Sequence, residues 1–192
     1  MEKLIKGIGI NDKSIRATVA GKLTKEYSLW INMLSRVNDK NYHLKYPTYS
    51  SCTISETFKY YHLFYNWCIN QIGYNQDNFV LDKDLLVKGN KHYSENTCTF
   101  IPLVINNVII TRISCRGELP IGVSLHQGKY VARCKTNGKL KHIGVFTTID
   151  SAFNAYKEFK ESYIKELAEL YKEHIDIRAY RALISYTVDL DD

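Results

Sequence analysis

No run of about 18 apolar residues occurs in this chain, so no segment of it reads as a membrane span. The opening stretch MEKLIKGIGINDKSIRATVAG lacks the apolar core and cleavage site of a secretory signal. The expected compartment is therefore the one of synthesis, the cytoplasm. No C-x-x-C pair occurs among Cys52, Cys68, Cys98, Cys115 and Cys134. An odd count at wide spacing argues against a disulfide framework and a cysteine zinc site, and predicts buried free thiols. Internal repeats and low-complexity tracts are absent too. What is left is an ordinary folded chain of 192 residues, enough for one domain or two small ones.

Acidic residues are scarce in one block. Between Arg116 and Phe146 stand Arg116, Lys129, Arg133, Lys135, Lys139 and Lys141 against Glu118 alone. Most of the net charge of +6 therefore sits in that short stretch, which points to an anionic partner.

Periodicity organises the rest. EYSLWINMLSRV puts Tyr27, Trp30, Ile31, Leu34 and Val37 on one helical face. NDKNYHLKYPTYSSC reads as loop. SETFKYYHLFYNWCINQIGY predicts one helix, capped by Ser55 and stopped near Gly73, with Phe58, Tyr61, Phe64 or Tyr65, and Cys68 inward as core. Residues 79–110 read as strand (FVLDKDLL), Gly/Asn loop (VKGNKHYS), strand (TCTFIP, stopped by Pro102) and helix (LVINNVIIT). Gly117 and Pro120 punctuate a connector.

KYVARCKT and KLKHIGVF alternate polar and apolar residues around Asn137-Gly138, a strong hairpin signal because both turn residues tolerate positive φ. Thr148 caps the following helix. Its stripe of Ala152, Phe153, Tyr156, Phe159, Tyr163, Leu167 and Leu170 would cover the inner sheet face. A short helix and an acidic tail close the chain. In the first strand the period of two sets Tyr130, Ala132, Cys134 and Thr136 against Lys129, Val131, Arg133 and Lys135. A cationic sheet face backed by a helix suits a phosphate backbone, and a ribbon can also enter the major groove.

The hairpin stretch resembles the Apetala-type, ethylene-response-factor-like DNA-binding domain, over about Ile121 to Tyr171. It carries the marks G-x-Y-x-A, G-K-x-K-x-x-G-x-F-x-T and A-x-x-A-Y. The resemblance implies a three-stranded antiparallel sheet packed on one helix, with Lys129, Arg133, Lys135, Lys139 and Lys141 as candidate DNA contacts. WINMLSR (Trp30 to Arg36), a loose F-x-x-W-x-x-x-Q-x-G-Y (Phe64 to Tyr74), LDKDLLVKGNKHYS (Leu81 to Ser94) and T-C-x-F-x-P-x-x-I-N (Thr97 to Asn106) resemble phage HNH homing-endonuclease-like proteins. Such proteins commonly carry the Apetala-type domain downstream, and the order here is the same.

Carried over position by position, that second resemblance makes Asp82 the strand ligand and Asn106 the helix ligand of Mg²⁺ or Mn²⁺. Lys83 stands where a base histidine is expected and Thr97 where a middle Asn is expected, with Asn96 beside it. An amine at Lys83 serves as a base only if burial lowers its pKa by several units; otherwise it suits a phosphate. Asp84, two residues beyond Asp82 along the expected strand, and His92 are the other candidate proton acceptors.

The expected architecture is α+β. Helices and an HNH-like ββα-metal region fill 1–115, and the Apetala-type domain with a helical tail fills 116–192. The expected function is an HNH-type, metal-dependent endonuclease acting on double-stranded DNA, weakened by the missing histidine. The runner-up is a DNA-binding phage regulator or anti-host factor that no longer cuts.

Overall fold

The aromatic residues spaced by threes and fours through the first third of the chain are buried together: Tyr27, Trp30, Phe58, Tyr61 and Phe64, with Cys68 beside them. A computed structural model describes residues 4–110 and 118–190, as an α+β fold divided into two units, Met1–Ile101 and Pro102–Asp192. Cys115, Arg116, Gly117 and the expected domain boundary at 115/116 lie outside the described residues. The other four cysteines are free and buried, as expected.

In the first unit a hairpin of β1 (Thr18–Val19) and β2 (Lys22–Leu23) leads into α1 (Lys25–Asn38). Thr24 caps that helix by accepting the Tyr27 N–H. Trp30 anchors it to the next layer, its indole N–H donating to the Phe58 carbonyl at 2.8 Å. The following stretch, expected as loop, holds a short helix α2 (Lys40–Lys45) and a 3₁₀ turn at Pro47–Tyr49. The local cause is Asp39, whose carboxylate accepts from the N–H groups of Asn41 and Tyr42. The rings of Tyr46 and Tyr49 then pack on Tyr42.

After β3 (Thr53–Ile54), the single helix expected from Ser55 to Gly73 is two, α3 (Glu56–Lys59) and α4 (Tyr61–Ile69). Ser55 does cap the first. The break at Tyr60 has a distant cause: Ile10 lies alongside, donating to the Lys59 carbonyl and accepting from the Tyr61 N–H. A remote segment takes the bonds that a continuous helix would use.

Strands β4 (Phe79–Asp82), β5 (His92–Tyr93) and β6 (Thr99–Pro102) follow. β4 pairs with β6, and β5, inside the stretch expected as loop, pairs in parallel with β3. α5 (Leu103–Ile109) follows β6 directly, so the expected order of strand, loop, strand and helix is present.

In the second unit β7 (Val123–His126), β8 (Lys129–Thr136) and β9 (Lys139–Phe146) form the expected three-stranded antiparallel sheet, in the order β7-β8-β9. Asn137 and Gly138 make its tight turn with φ of 48° and 77°. α6 (Ile149–Leu170), capped by Thr148, packs across the sheet, and α5 packs against α6. Ala152, Phe153, Tyr156 and Leu167 are buried as the stripe predicts, but Leu170 is exposed and Lys160 is buried between the Tyr156 and Tyr186 rings. The segment after α7 (Ile177–Ile184) is not a free tail. Val188 is fully buried, its N–H bonded to the Glu161 carboxylate and its carbonyl to the Lys157 ammonium.

Candidate active site and basic sheet face

β4 ends at Asp82 because that side chain turns the chain. Its Oδ1 accepts the backbone N–H groups of Asp84, at 2.9 Å, and Leu85, at 2.7 Å. The carboxyl is buried, and desolvation raises its pKa above the ordinary value despite those two bonds. Asp84, expected one strand period along on the same face, is instead past the end of the strand and exposed. It does not sit beside Asp82 as a second inward carboxylate.

Lys83 is only 6 % exposed. Its ammonium bonds the Asp84 carboxylate and donates to the Asn90 carbonyl at 2.9 Å, and it lies 5.6 Å from the centre of the Tyr93 ring. Two of its donors are thus spent on the protein itself, and the side chain is not an exposed phosphate contact. It cross-links a loop.

Asn90, read from the sequence as a turn residue, closes that loop with its side chain. Its amide nitrogen donates to the Lys83 and His92 carbonyls, each at 2.7 Å, while its Oδ1 accepts the His92 N–H at 3.0 Å. The preceding Gly89 at φ 74° is the only local signal of so tight a return. Thr97 does comparable work on the far side: its hydroxyl donates to the His92 carbonyl at 2.6 Å and accepts the Ser94 N–H at 3.1 Å. Neighbouring Asn96 is exposed.

His92 is half-buried on β5 rather than loose in a loop, and its Nδ1 is 2.8 Å from the Thr53 hydroxyl. The second expected metal ligand, Asn106, is half-buried on α5 in the other unit. Among the described residues no three His, Cys, Asp or Glu side chains form a cation cage. An Asp with an Asn is a smaller donor set, which relies on phosphate and water for the rest. The buried thiols are poor nucleophiles: desolvation pushes Cys68 and Cys98 up to about 12.

Cross-strand pairs share a face, so the register of the second unit's sheet sorts its cations. Arg133 pairs with His142, Lys135 with Leu140, and Lys129 with His126, all on the face away from α6. Lys139 pairs with Thr136 and Lys141 with buried Cys134, which puts these two on the helix side. Lys141 lies 4.7 Å from the centre of the Phe159 ring, in a cleft shared with Glu166. The five cations do not form one surface. The two-residue turn already implied this pairing, and a bulge beside Ala132 and Arg133 then lets Ile143 turn to the core.

Among the described residues no helix is long and apolar enough to cross a membrane. Compared with protein-family models, curated proteins and solved structures, the chain matches none.

Proposed function

We propose that the chain is a DNA-binding, metal-dependent endonuclease of the HNH homing type, acting on double-stranded DNA with Mg²⁺ or Mn²⁺. The observation that carries this reading is Asp82: a buried carboxylate at the end of β4, with β6 paired alongside that strand and a helix following β6. A cation suits Asp82. Both of its hydrogen bonds among the described residues fall on Oδ1, and a positive charge at the other oxygen would offset the desolvation that raises the carboxyl. Such a cation, when bound, supplies charge stabilisation for a phosphodiester under attack. The protein's own part is to hold Asp82 in a closed loop and to grip the duplex with Lys129, Arg133 and Lys135, which are exposed together on the sheet face away from α6.

A second reading has its own support. The position of the base histidine holds Lys83, whose donors are engaged. Losing a general base costs about 10²–10⁴-fold, and a chain without any replacement is a DNA-binding regulator rather than an enzyme.

Incubation with supercoiled plasmid and Mg²⁺ or Mn²⁺, beside Asp82→Ala, separates the two. Nicking that disappears in the variant supports the endonuclease. Salt-sensitive retention of plasmid without nicking supports the regulator. Neither retention nor nicking sinks both.

A further inference from the structure

Residue 92 is fixed at its backbone N–H, at its carbonyl and at its ring. Asn90 holds the N–H, Asn90 and Thr97 both donate to the carbonyl, and the Thr53 hydroxyl meets Nδ1. Strand pairing places Thr53 there: Thr53 N–H donates to the Lys91 carbonyl at 2.7 Å and Ser55 N–H to the Tyr93 carbonyl at 2.9 Å, one bond on either side of His92. A surface loop histidine is not usually secured at so many points. The same Asn90 nitrogen that bonds the His92 carbonyl also bonds the carbonyl of Lys83, the residue after Asp82. One amide therefore joins the imidazole's backbone to the end of the strand that carries the proposed ligand.

The sequence T-I-S-E-T, Thr53 to Thr57, supplies hydroxyls at every second position. Thr53 takes the imidazole, while Ser55 and Thr57 bond the Glu95 carboxyl. Desolvation alone would raise that carboxyl; the bonds from Thr57 and Ser55 outweigh it and hold it below its ordinary value.

The geometry points to His92 as the proton acceptor that replaces the missing histidine, with Thr53 as its positioning residue. This rests on the endonuclease reading above. With Nδ1–H donating to the Thr53 hydroxyl, Nε2 carries the lone pair. The attacking water gives its proton to Nε2, and the electron pair of its broken O–H bond forms the new P–O bond. The bond from phosphorus to the leaving sugar oxygen breaks, and that oxygen takes a proton from solvent. Lys83 and Asp84 are occupied with each other and with the loop, so neither competes for the role.

Two measurements test this. In ¹⁵N spectra of the imidazoles, the neutral His92 ring of the wild-type chain should be the Nδ1–H tautomer. Thr53→Val should lose that tautomer and Thr53→Ser should keep it. An Nε2–H wild-type ring overturns the pairing, whatever the enzyme does. In the plasmid assay, His92→Asn should lower the nicking rate about 10²–10⁴-fold while plasmid retention persists. Thr53→Val should lower the rate less, and Thr53→Ser should restore it. Nicking by wild type that His92→Asn leaves unchanged overturns the proton-acceptor role and spares the endonuclease reading. Wild type that does not nick with either cation overturns both.

Discussion

The Tyr93 ring joins Lys83 to Arg36: the Lys83 ammonium sits 5.6 Å from the ring centre, and the Arg36 guanidinium donates to the phenolic oxygen at 3.4 Å. Tyr93 is 2 % exposed, and it ties α1 to the loop after β4 through two cations that never meet. Substituting Lys83 by Met keeps the length of the stem and removes the charge. The Asn90 carbonyl and the Asp84 carboxylate then lose their donor. Asp84 is exposed and recovers water, which limits the loss; the expected destabilisation is about 1–3 kcal/mol, read by urea unfolding. An unchanged midpoint would show that the ammonium contributes nothing to the fold.

Asp82 gives a pH prediction with a definite sign. Burial raises its pKa in the folded chain, so the folded state holds the proton more tightly than the unfolded one. Its contribution to stability is therefore most favourable at low pH and declines as pH rises from the ordinary value of 3.8 through the raised one. Asp82→Asn keeps an oxygen for the Asp84 and Leu85 N–H groups and cannot ionise. Its thermal midpoint should exceed that of wild type at neutral pH, with the gap closing towards pH 3. Added Mn²⁺ should raise the midpoint of wild type and not of the variant, and a rise in both would remove Asp82 from the proposed cation site.

Two glycines with equal φ should respond unequally. Gly122 and Gly138 both sit at 77°, where an L side chain costs about 1–2 kcal/mol. A Cβ at Gly138 meets nothing within 4 Å, whereas one at Gly122 would fall 2.1 Å from Tyr156 on α6. Gly138→Ala should cost only the backbone strain. Gly122→Ala should cost about 1–3 kcal/mol more, because the ring cannot retreat without leaving the core of the second unit. Calorimetry of the two variants decides it.

Plasmid retention across a salt series tests the sorting of the hairpin cations. Removing one cation that neutralises a phosphate should reduce the slope of log K against log[salt] by about 0.9. Lys129→Ala, Arg133→Ala and Lys135→Ala should each do so, and Lys139→Ala and Lys141→Ala should not. A slope that responds equally to all five would mean that the helix-side lysines reach the duplex as well.

What could be read from the sequence follows distance along the chain. The Asn137-Gly138 hairpin, the Thr148 and Ser55 caps, the α6 stripe as far as Leu167 and the inward aromatics depend on neighbours a few residues away, and all are present. The break at Tyr60 needed Ile10, and the β3–β5 pairing joins residues 39 apart; no local period carries either. Asp82 could be picked out, but its role as the cap that ends its own strand could not, since strand alternation runs smoothly through Asp84. Lys83 misled because a charged residue in a polar stretch looks solvated. The Tyr93 face and the Asn90 carbonyl that receive it come from the closed loop.

That closure makes the loop an all-or-none object. A single nitrogen on Asn90 serves the carbonyls of Lys83 and His92, and its oxygen accepts the His92 N–H, so releasing this one side chain frees both ends of the loop together. Deuterium should enter its protected amides in step, as from a latch with one pin.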